Sequence, residues 1–227
     1  MHLLFDLDRT LWDFDANASK ALIQLHQHYR IDIPYDQFSH IYHQINDALW
    51  ESYRVGSISK EYLHIKRFSQ TLDYFHITTL SSSEIADYYL DACSQQTALI
   101  PGAIEMLDQL CSPRITLSII SNGFREAQIP KMRTSRLLPY FQHIFLSEEI
   151  GYQKPDVRFF NAVLHRLQAQ PQDCLVIGDD YRVDILGAQA AGIPQVHFNP
   201  TQQRPSGPTP THTITHLSQL TTLLLAQ

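Results

Sequence analysis

Two rhythms of apolar residues divide this chain. In the first, short apolar runs stop abruptly at polar residues. Leu3-Leu4-Phe5 stops at Asp6, and Ile115 to Ile120 stops at Ser121-Asn122-Gly123. His143 to Leu146, Leu175-Val176-Ile177 and Val196-His197-Phe198 repeat the pattern. Runs of this length, rich in β-branched and aromatic residues and bounded by turn formers, predict buried strands. Between them the apolar residues recur at helical spacing. Pro101-Gly102 opens a helix carrying Ile104, Leu107 and Leu110, with the proline suited to its first turn. Another helix follows Gly123. Pro155 and Asp156 begin one with Phe159, Phe160, Val163, Leu164 and Leu167, and a further one runs from about Val183 to Ala191. Strands alternating with helices predict a parallel α/β sheet covered on both faces.

The second rhythm fills residues 14–94, where helical spacing continues without a strand. Ala18, Ala21, Leu22, Leu25 and Tyr29 form one stripe, and Phe38, Ile41, Ile45, Leu49 and Tyr53 a second. Tyr62, Ile65, Phe68 and Leu72 form a third. Ser81 with Glu84 has the spacing of a capping box and opens a fourth helix with Ile85, Tyr88, Tyr89 and Ala92. Four amphipathic helices in succession predict a small helical bundle inserted after the first strand. The domain expectation is therefore an α/β core of residues 1–13 and 95–227 and a helical insertion of residues 14–94. Residues 199–212, rich in Pro, Thr, Gln and Gly, read as a surface loop. Thr213 to Leu217 reads as an edge strand, and a last helix ends in Leu223-Leu224-Leu225.

Bulk properties narrow the partners. Of 227 residues, 44% are apolar and 18% charged, enough for a buried core. A net charge of −6 without a basic block argues against binding a nucleic acid polymer. An acidic protein that handles an anion must concentrate positive charge locally, most simply with a bound metal. Cys93, Cys111 and Cys174 follow no ligand spacing and read as reduced thiols of a cytoplasmic protein. No run approaches the length of a membrane span, and Asp6 and Asp8 interrupt any leader-like segment. A monomer or a homodimer is expected.

In parallel sheets the ligand crevice lies beyond the carboxyl ends of the strands. Every chemically suggestive residue here falls at such an end or in the loop following it. Asp6 and Asp8 follow the first strand, and their i, i+2 spacing spans about 7 Å in extended chain. Ser121 closes the second strand, Lys154 lies after the third, and Asp179, Asp180 and Asp184 follow the fourth. Singly, each has a plain explanation: a turn at Ser121-Asn122-Gly123, an exposed helix entrance at Lys154, a cap with first-turn acids at Asp179. Four coincidences at one edge of one sheet reverse that judgement. Phosphoryl transfer needs a nucleophile, a proton donor for the leaving oxygen and positive charge around the phosphate. Asp6 suits the nucleophile and Asp8 the acid, then the base. Thr10, the Ser121 hydroxyl and the Asn122 backbone N–H are candidate substrate contacts, and Lys154 supplies fixed charge. Asp6 with Asp179 forms a hard oxygen site for Mg²⁺, and Asp184 orients the metal's waters or Lys154.

With these residues in view, the chain resembles the haloacid dehalogenase-like hydrolase superfamily. The resemblance rests on Asp6-Leu7-Asp8-Arg9-Thr10, Ser121-Asn122-Gly123, Lys154-Pro155, and Gly178-Asp179-Asp180 with Asp184, in order over essentially the whole chain. It implies a Rossmann-like core, an aspartyl-phosphate at Asp6, Mg²⁺, a metal contact from the Asp8 backbone carbonyl, and a cap formed by the helical insertion. Asp8 favours phosphate esters over haloacids, because a leaving halide needs no proton. Within the superfamily the resemblance extends to the bacterial pyrimidine 5′-nucleotidase branch. Thr10-Leu11-Trp12-Asp13-Phe14, Asn122-Gly123-Phe124, Ser147-Glu148-Glu149-Ile150-Gly151 and Lys154-Pro155-Asp156 carry it. The expected activity is Mg²⁺-dependent hydrolysis of a small-molecule phosphomonoester, with nucleoside 5′-monophosphates foremost. Phosphoglycolate, a sugar phosphate or a phosphomutase reaction are the alternatives, and a catalytically idle binding protein is the alternative from another class. Two residues depart from the pattern. Arg9 either reaches the substrate's far end or points away, and Arg136 stands where glycine usually ends the helix.

Overall fold

The computed structural model describes residues 1–204 and 206–225. They divide into two compact units, Met1–Asp15 with Thr97–Gln227, and Ala16–Gln96.

In the first unit β1 (His2–Phe5) is central. The helices that follow it in the chain are α1 (Phe14–His28), α2 (Tyr35–Arg54), α3 (Lys60–Tyr74) and α4 (Ser82–Ser94). Then come α5 (Ala103–Leu110), β2 (Thr116–Ser121), α6 (Arg125–Thr134), β3 (His143–Leu146), the one-turn α7 (Ser147–Ile150), α8 (Val157–Leu167), β4 (Cys174–Gly178), α9 (Leu186–Ala190), β5 (Gln195–Phe198), β6 (His212–Ile214) and α10 (Ser218–Leu225). The six strands form one sheet in the order β3-β2-β1-β4-β5-β6, and every pairing is parallel. This is the expected α/β architecture. His2 is in register with both Thr116 and Cys174, so β1 has a strand on either side. Leu3, Leu4 and Phe5 are fully buried, which is why the strand reads as an unbroken apolar run. One face packs Leu4, Ile120 and Val176 against Phe159, Phe160, Val163 and Leu164 of α8. The chain builds outward from β1 through β2 to β3, then crosses to β4 and builds the other way. A crevice therefore opens at the carboxyl ends of β1 and β4, where the direction of building reverses.

The structure departs from the sequence pattern at a few places. Pro101 precedes α5, and Gly102 caps it with φ 83°, a left-handed backbone that suits glycine. Asp156 is the cap of α8, accepting the Arg158 N–H at 2.9 Å, so the helix begins one residue later. The helix expected from Val183 begins as a π-turn, Tyr181–Ile185, anchored where Asp180 Oδ1 accepts from Arg182 and Val183. The edge strand lies earlier than expected. Gln219 Oε1 takes the N–H groups of Thr215 and His216 that a strand would have offered to a neighbour. Arg136 has φ 62° and holds the left-handed turn after α6 that glycine would hold at lower cost.

The second unit consists of helices, of which α1 buries the stripe that the sequence spacing predicts. By contrast, α3 buries Leu63, Phe68 and Leu72 and leaves Tyr62 and Ile65 exposed, and α2 turns Tyr42 and Asn46 inward in place of Ile41 and Ile45. The buried residues of α2 are Phe38, Tyr42, Leu49 and Tyr53, with Asn46 among them. Tyr42 stacks on Phe68 of α3 at 5.0 Å and meets Tyr89 of α4 at 5.6 Å. Ser59 caps α3 through the Tyr62 N–H, and Ser81 caps α4 through the Glu84 N–H. Among the described residues, no helix is long and apolar enough to cross a membrane.

Candidate active site

The backbone N–H of Asp6 donates to the Ile177 carbonyl at 2.9 Å, so Asp6 stays on the ladder between β1 and β4. The next residues fold into a tight turn. Leu11 and Trp12 N–H both reach back to the Leu7 carbonyl, and Arg9 N–H donates to Trp12. Leu7 and Leu11 are fully buried and clamp the turn, while Arg9 at its tip has φ 65°.

Carboxylate oxygens of Asp6, Asp179 and Asp184 all lie within 4.8 Å of one another. Lys154 Nζ donates to Asp6 Oδ1 at 2.7 Å, to Asp184 Oδ1 at 2.6 Å and to the Ile120 carbonyl at 2.9 Å. Burial pushes the Asp6 carboxyl well above the usual carboxylate range against the pull of Lys154, and Asp184 and Asp179 push it the same way. Burial also raises Asp184, and Lys154 opposes the rise. Burial and then Asp184 push Asp179 up to about 7. Burial alone would lower Lys154, but Asp184 and Asp6 outweigh it and raise the ammonium above its ordinary value. With all three carboxylates ionised, one ammonium would leave two negative charges uncompensated. That excess equals the charge of one divalent cation, and an all-oxygen donor set suits Mg²⁺. Gly178 makes this crowding possible, since a Cβ there would run into the Asp184 carboxylate.

Thr10, expected on the substrate, takes a different place. It is fully buried, its hydroxyl lies 3.3 Å from Asp6 Oδ2 and 3.2 Å from Asp179 Oδ1, and it accepts the Asp179 N–H at 3.1 Å. It braces the two acids. Asn122 also has a bracing side chain. Its amide donates to the Lys154 carbonyl at 2.8 Å and accepts the Lys154 N–H at 2.9 Å, clamping the loop whose Lys154–Pro155 peptide is cis. Asp8 faces elsewhere. Lys131 Nζ donates to its Oδ1 and Gln128 Nε2 to its Oδ2, each at 2.8 Å. Gln128 Nε2 also donates to Ser121 Oγ at 2.7 Å, and Gly123 N–H donates to the same oxygen at 3.0 Å. A hydroxyl that accepts two hydrogen bonds has its proton left to give, so Ser121 can donate to an anionic oxygen.

Sequence reasoning missed Gln128, Lys131 and His197. The first two lie three residues apart on α6, and only an i, i+3 polar pair inside a buried face could have marked them. His197 Nε2 lies 3.0 Å from the Asp179 carbonyl, and burial holds its imidazole below the ordinary range. Arg9 turns to Asp15, with Nε and the terminal nitrogen each 2.9 Å from Oδ1, and lies 4.5 Å over the Phe14 ring. It borders a cavity of about 470 Å³ shared with Asp179, Tyr181, Asn199 and Arg204.

The family model for haloacid dehalogenase-like hydrolases matches residues 3–198. The chain belongs to this family. It is 35% identical over 200 residues to the pyrimidine 5′-nucleotidase PynA of Streptococcus pneumoniae, covering 87% of this chain and 83% of that one. It is 27% identical to the pyrimidine 5′-nucleotidase YjjG of Escherichia coli, over 98% and 96% of the two chains. Among solved structures it resembles the HAD-hydrolase YfnB of Bacillus subtilis, described as bound to magnesium, with a TM-score of 0.89 and 32% identity over 99% and 98% of the chains. Asp6 directly follows the central strand β1, and the acid cluster lies at the crevice where parallel sheets bind ligands.

Proposed function

We propose that the chain is a phosphomonoesterase for small phosphorylated metabolites, nucleoside 5′-monophosphates foremost. The observation that carries this reading is Asp6: a carboxylate at the end of the central strand, sharing one buried ammonium with Asp184 and crowded by Asp179. A binding site for an anion has no use for two buried acids and a half-buried third beside its lysine. A site that passes a phosphoryl group to a carboxylate needs the nucleophile, the lysine and a hard-cation seat together.

In this reading Asp6 attacks phosphorus and becomes an aspartyl-phosphate. Asp8 gives a proton to the departing alkoxide, then takes one from the water that cleaves the acyl phosphate. Ser121 and the Asn122 backbone donate to the phosphate oxygens, and Lys154 balances charge. Asp6, Asp179 and the backbone carbonyl of Asp8 would hold Mg²⁺, with Asp184 beside them. When bound, the ion supplies positive charge to the transferring group and relieves the repulsion among the acids. Residues 14–94 serve as the family's cap and residues 1–13 with 95–227 as the catalytic core; the cap's role is to exclude water. The names of two relatives support a pyrimidine nucleotide as substrate. The three cysteines, none of them in a disulfide among the described residues, fit a cytoplasmic enzyme, acting as monomer or homodimer on a small molecule.

A panel of phosphate esters with Mg²⁺ and an EDTA control tests the proposal. Phosphate release from UMP or dUMP well above that from phosphoglycolate and sugar phosphates supports it. Isomerisation of a sugar phosphate without release would replace it with a mutase, and no turnover across the panel would replace it with an idle binding protein. Asp6→Asn is expected to abolish turnover while the fold persists. Wild-type hydrolysis of p-nitrophenyl phosphate by that variant would overturn the nucleophile assignment.

A further inference from the structure

We infer that Gln128 and Lys131, on one face of α6, are positioning residues that hold Asp8 and Ser121 in the geometry for protonating the leaving oxygen. The inference rests on the phosphomonoesterase reading and adds two residues that none of its motifs contains.

One amide serves two functional groups. Gln128 Nε2 donates to Asp8 Oδ2 at 2.8 Å and to Ser121 Oγ at 2.7 Å, so a single planar group sets the spacing between the candidate acid and the candidate phosphate-binding hydroxyl. Packing does not explain the choice of glutamine. Gln128 is fully buried, and its Oε1 has no hydrogen-bond partner among the described residues. An unmet buried acceptor is a cost that an apolar side chain of the same size would avoid. The amide is therefore held for its two N–H groups. The backbone also makes room for it, because a Cβ on Gly123 would run into the Gln128 side chain.

Lys131 is held in the same way. It is 5% exposed, its ammonium lies 4.3 Å over the Trp12 ring and 5.5 Å over Phe14, and it donates to Asp8 Oδ1 at 2.8 Å. A lysine taken out of water needs a partner, and Asp8 is the carboxylate it meets. The two oxygens of Asp8 thus have separate holders three residues apart on one helix. As the Asp6–phosphorus bond forms and the ester P–O bond breaks, the electron pair passes to the leaving oxygen, which takes its proton from Asp8. An acid gripped at both oxygens meets that oxygen in one orientation.

The consequence depends on the leaving group. An alkoxide leaving from a nucleoside monophosphate needs the proton, whereas p-nitrophenolate leaves without it. With Mg²⁺ present, Lys131→Met and Gln128→Met are each expected to lower kcat/KM for UMP by about 30-fold or more and that for p-nitrophenyl phosphate by less than about 3-fold. Lys131→Arg is expected to recover a large part of the UMP activity, because it restores the donor. If Lys131→Met does not fold, Gln128→Met read the same way decides. Equal losses on both esters, or no loss on either, overturn the inference. A wild-type chain that hydrolyses neither ester overturns the phosphomonoesterase reading, and the inference with it.

Discussion

The ammonium of Lys154 lies 2.6 Å from Asp184 Oδ1, and both side chains are about 1% exposed. Removing one member of a buried ion pair leaves the other charge stranded, at about 3–5 kcal/mol. Lys154→Met is therefore expected to lower the unfolding free energy in EDTA by about that much, since Asp6 and Asp184 both lose their cation. Asp184→Asn removes one charge from an over-negative cluster and should cost less than half as much. Urea unfolding of both variants without metal checks the order. A Lys154→Met protein as stable as the wild type would show that the acids do not depend on the lysine.

The same crowding sets a pH dependence. Burial and Asp184 raise Asp179 from 3.8 to about 7. A carboxyl whose folded-state pKa is raised holds its proton more tightly folded than unfolded, so protonation favours the fold. Its contribution is complete below about 4 and is lost as pH rises through about 7. Asp6 and Asp184 shift in the same direction. The metal-free protein should thus lose stability across that window, and Asp179→Asn should flatten the loss. If magnesium binds the ionised acids, the stabilisation it gives, about 2.7 kcal/mol at a hundredfold excess over Kd, should raise Tm more at pH 8 than at pH 5. Equal increases at the two pH values would count against a metal seat built from these acids.

The three thiols should separate cleanly. Cys111 is exposed, whereas Cys93 and Cys174 are buried. Burial, then Asp173, pushes the Cys174 thiol up to about 11, so little thiolate exists there at neutral pH. Iodoacetamide at pH 8 should alkylate Cys111 in the native protein and all three cysteines in urea, as read by peptide mass spectrometry. Native labelling of Cys174 at a rate comparable to Cys111 would show that the amino-terminal end of β4 opens.

Much of this was legible because Asp6 and Asp179 follow directly on strand ends, and strand ends are marked by abrupt loss of apolar character. Leu3-Leu4-Phe5 before Asp6 and Leu175-Val176-Ile177 before Asp179 announce both position and direction. Thr10 was legible as a member of the site but not in role, and the bracing side chain of Asn122 was not legible beside its backbone N–H. A hydroxyl or amide near a phosphate site reads equally well as a ligand or as a brace, and only the bonds to Asp6, Asp179 and Lys154 separate the two. Gln128 and Lys131 were not legible. On a helix whose polar residues mostly face water, nothing in their spacing says that these two point inward. The edge strand was misplaced for a similar reason: the turn at Thr215 and His216 depends on a side-chain oxygen four residues along, not on local preference.

Gly123 and Gln128 form a pair whose coupling can be measured without any substrate. The space where a Cβ of residue 123 would sit is filled by the Gln128 amide. Gly123→Ala must therefore push that amide aside, breaking its bonds to Ser121 and Asp8, or shift the loop itself. Overpacking of this kind costs about 1–3 kcal/mol. Gln128→Ala empties the same space, so the two substitutions compete for one volume. The double variant Gly123→Ala/Gln128→Ala should be more stable than the sum of the single effects by about 1 kcal/mol or more. Activity should not recover with it, because the amide that holds Asp8 and Ser121 is gone in both variants that carry Gln128→Ala. Thermal or urea unfolding gives the cycle, and the UMP assay gives the contrast. Strict additivity would mean that the loop accommodates the methyl group without touching Gln128.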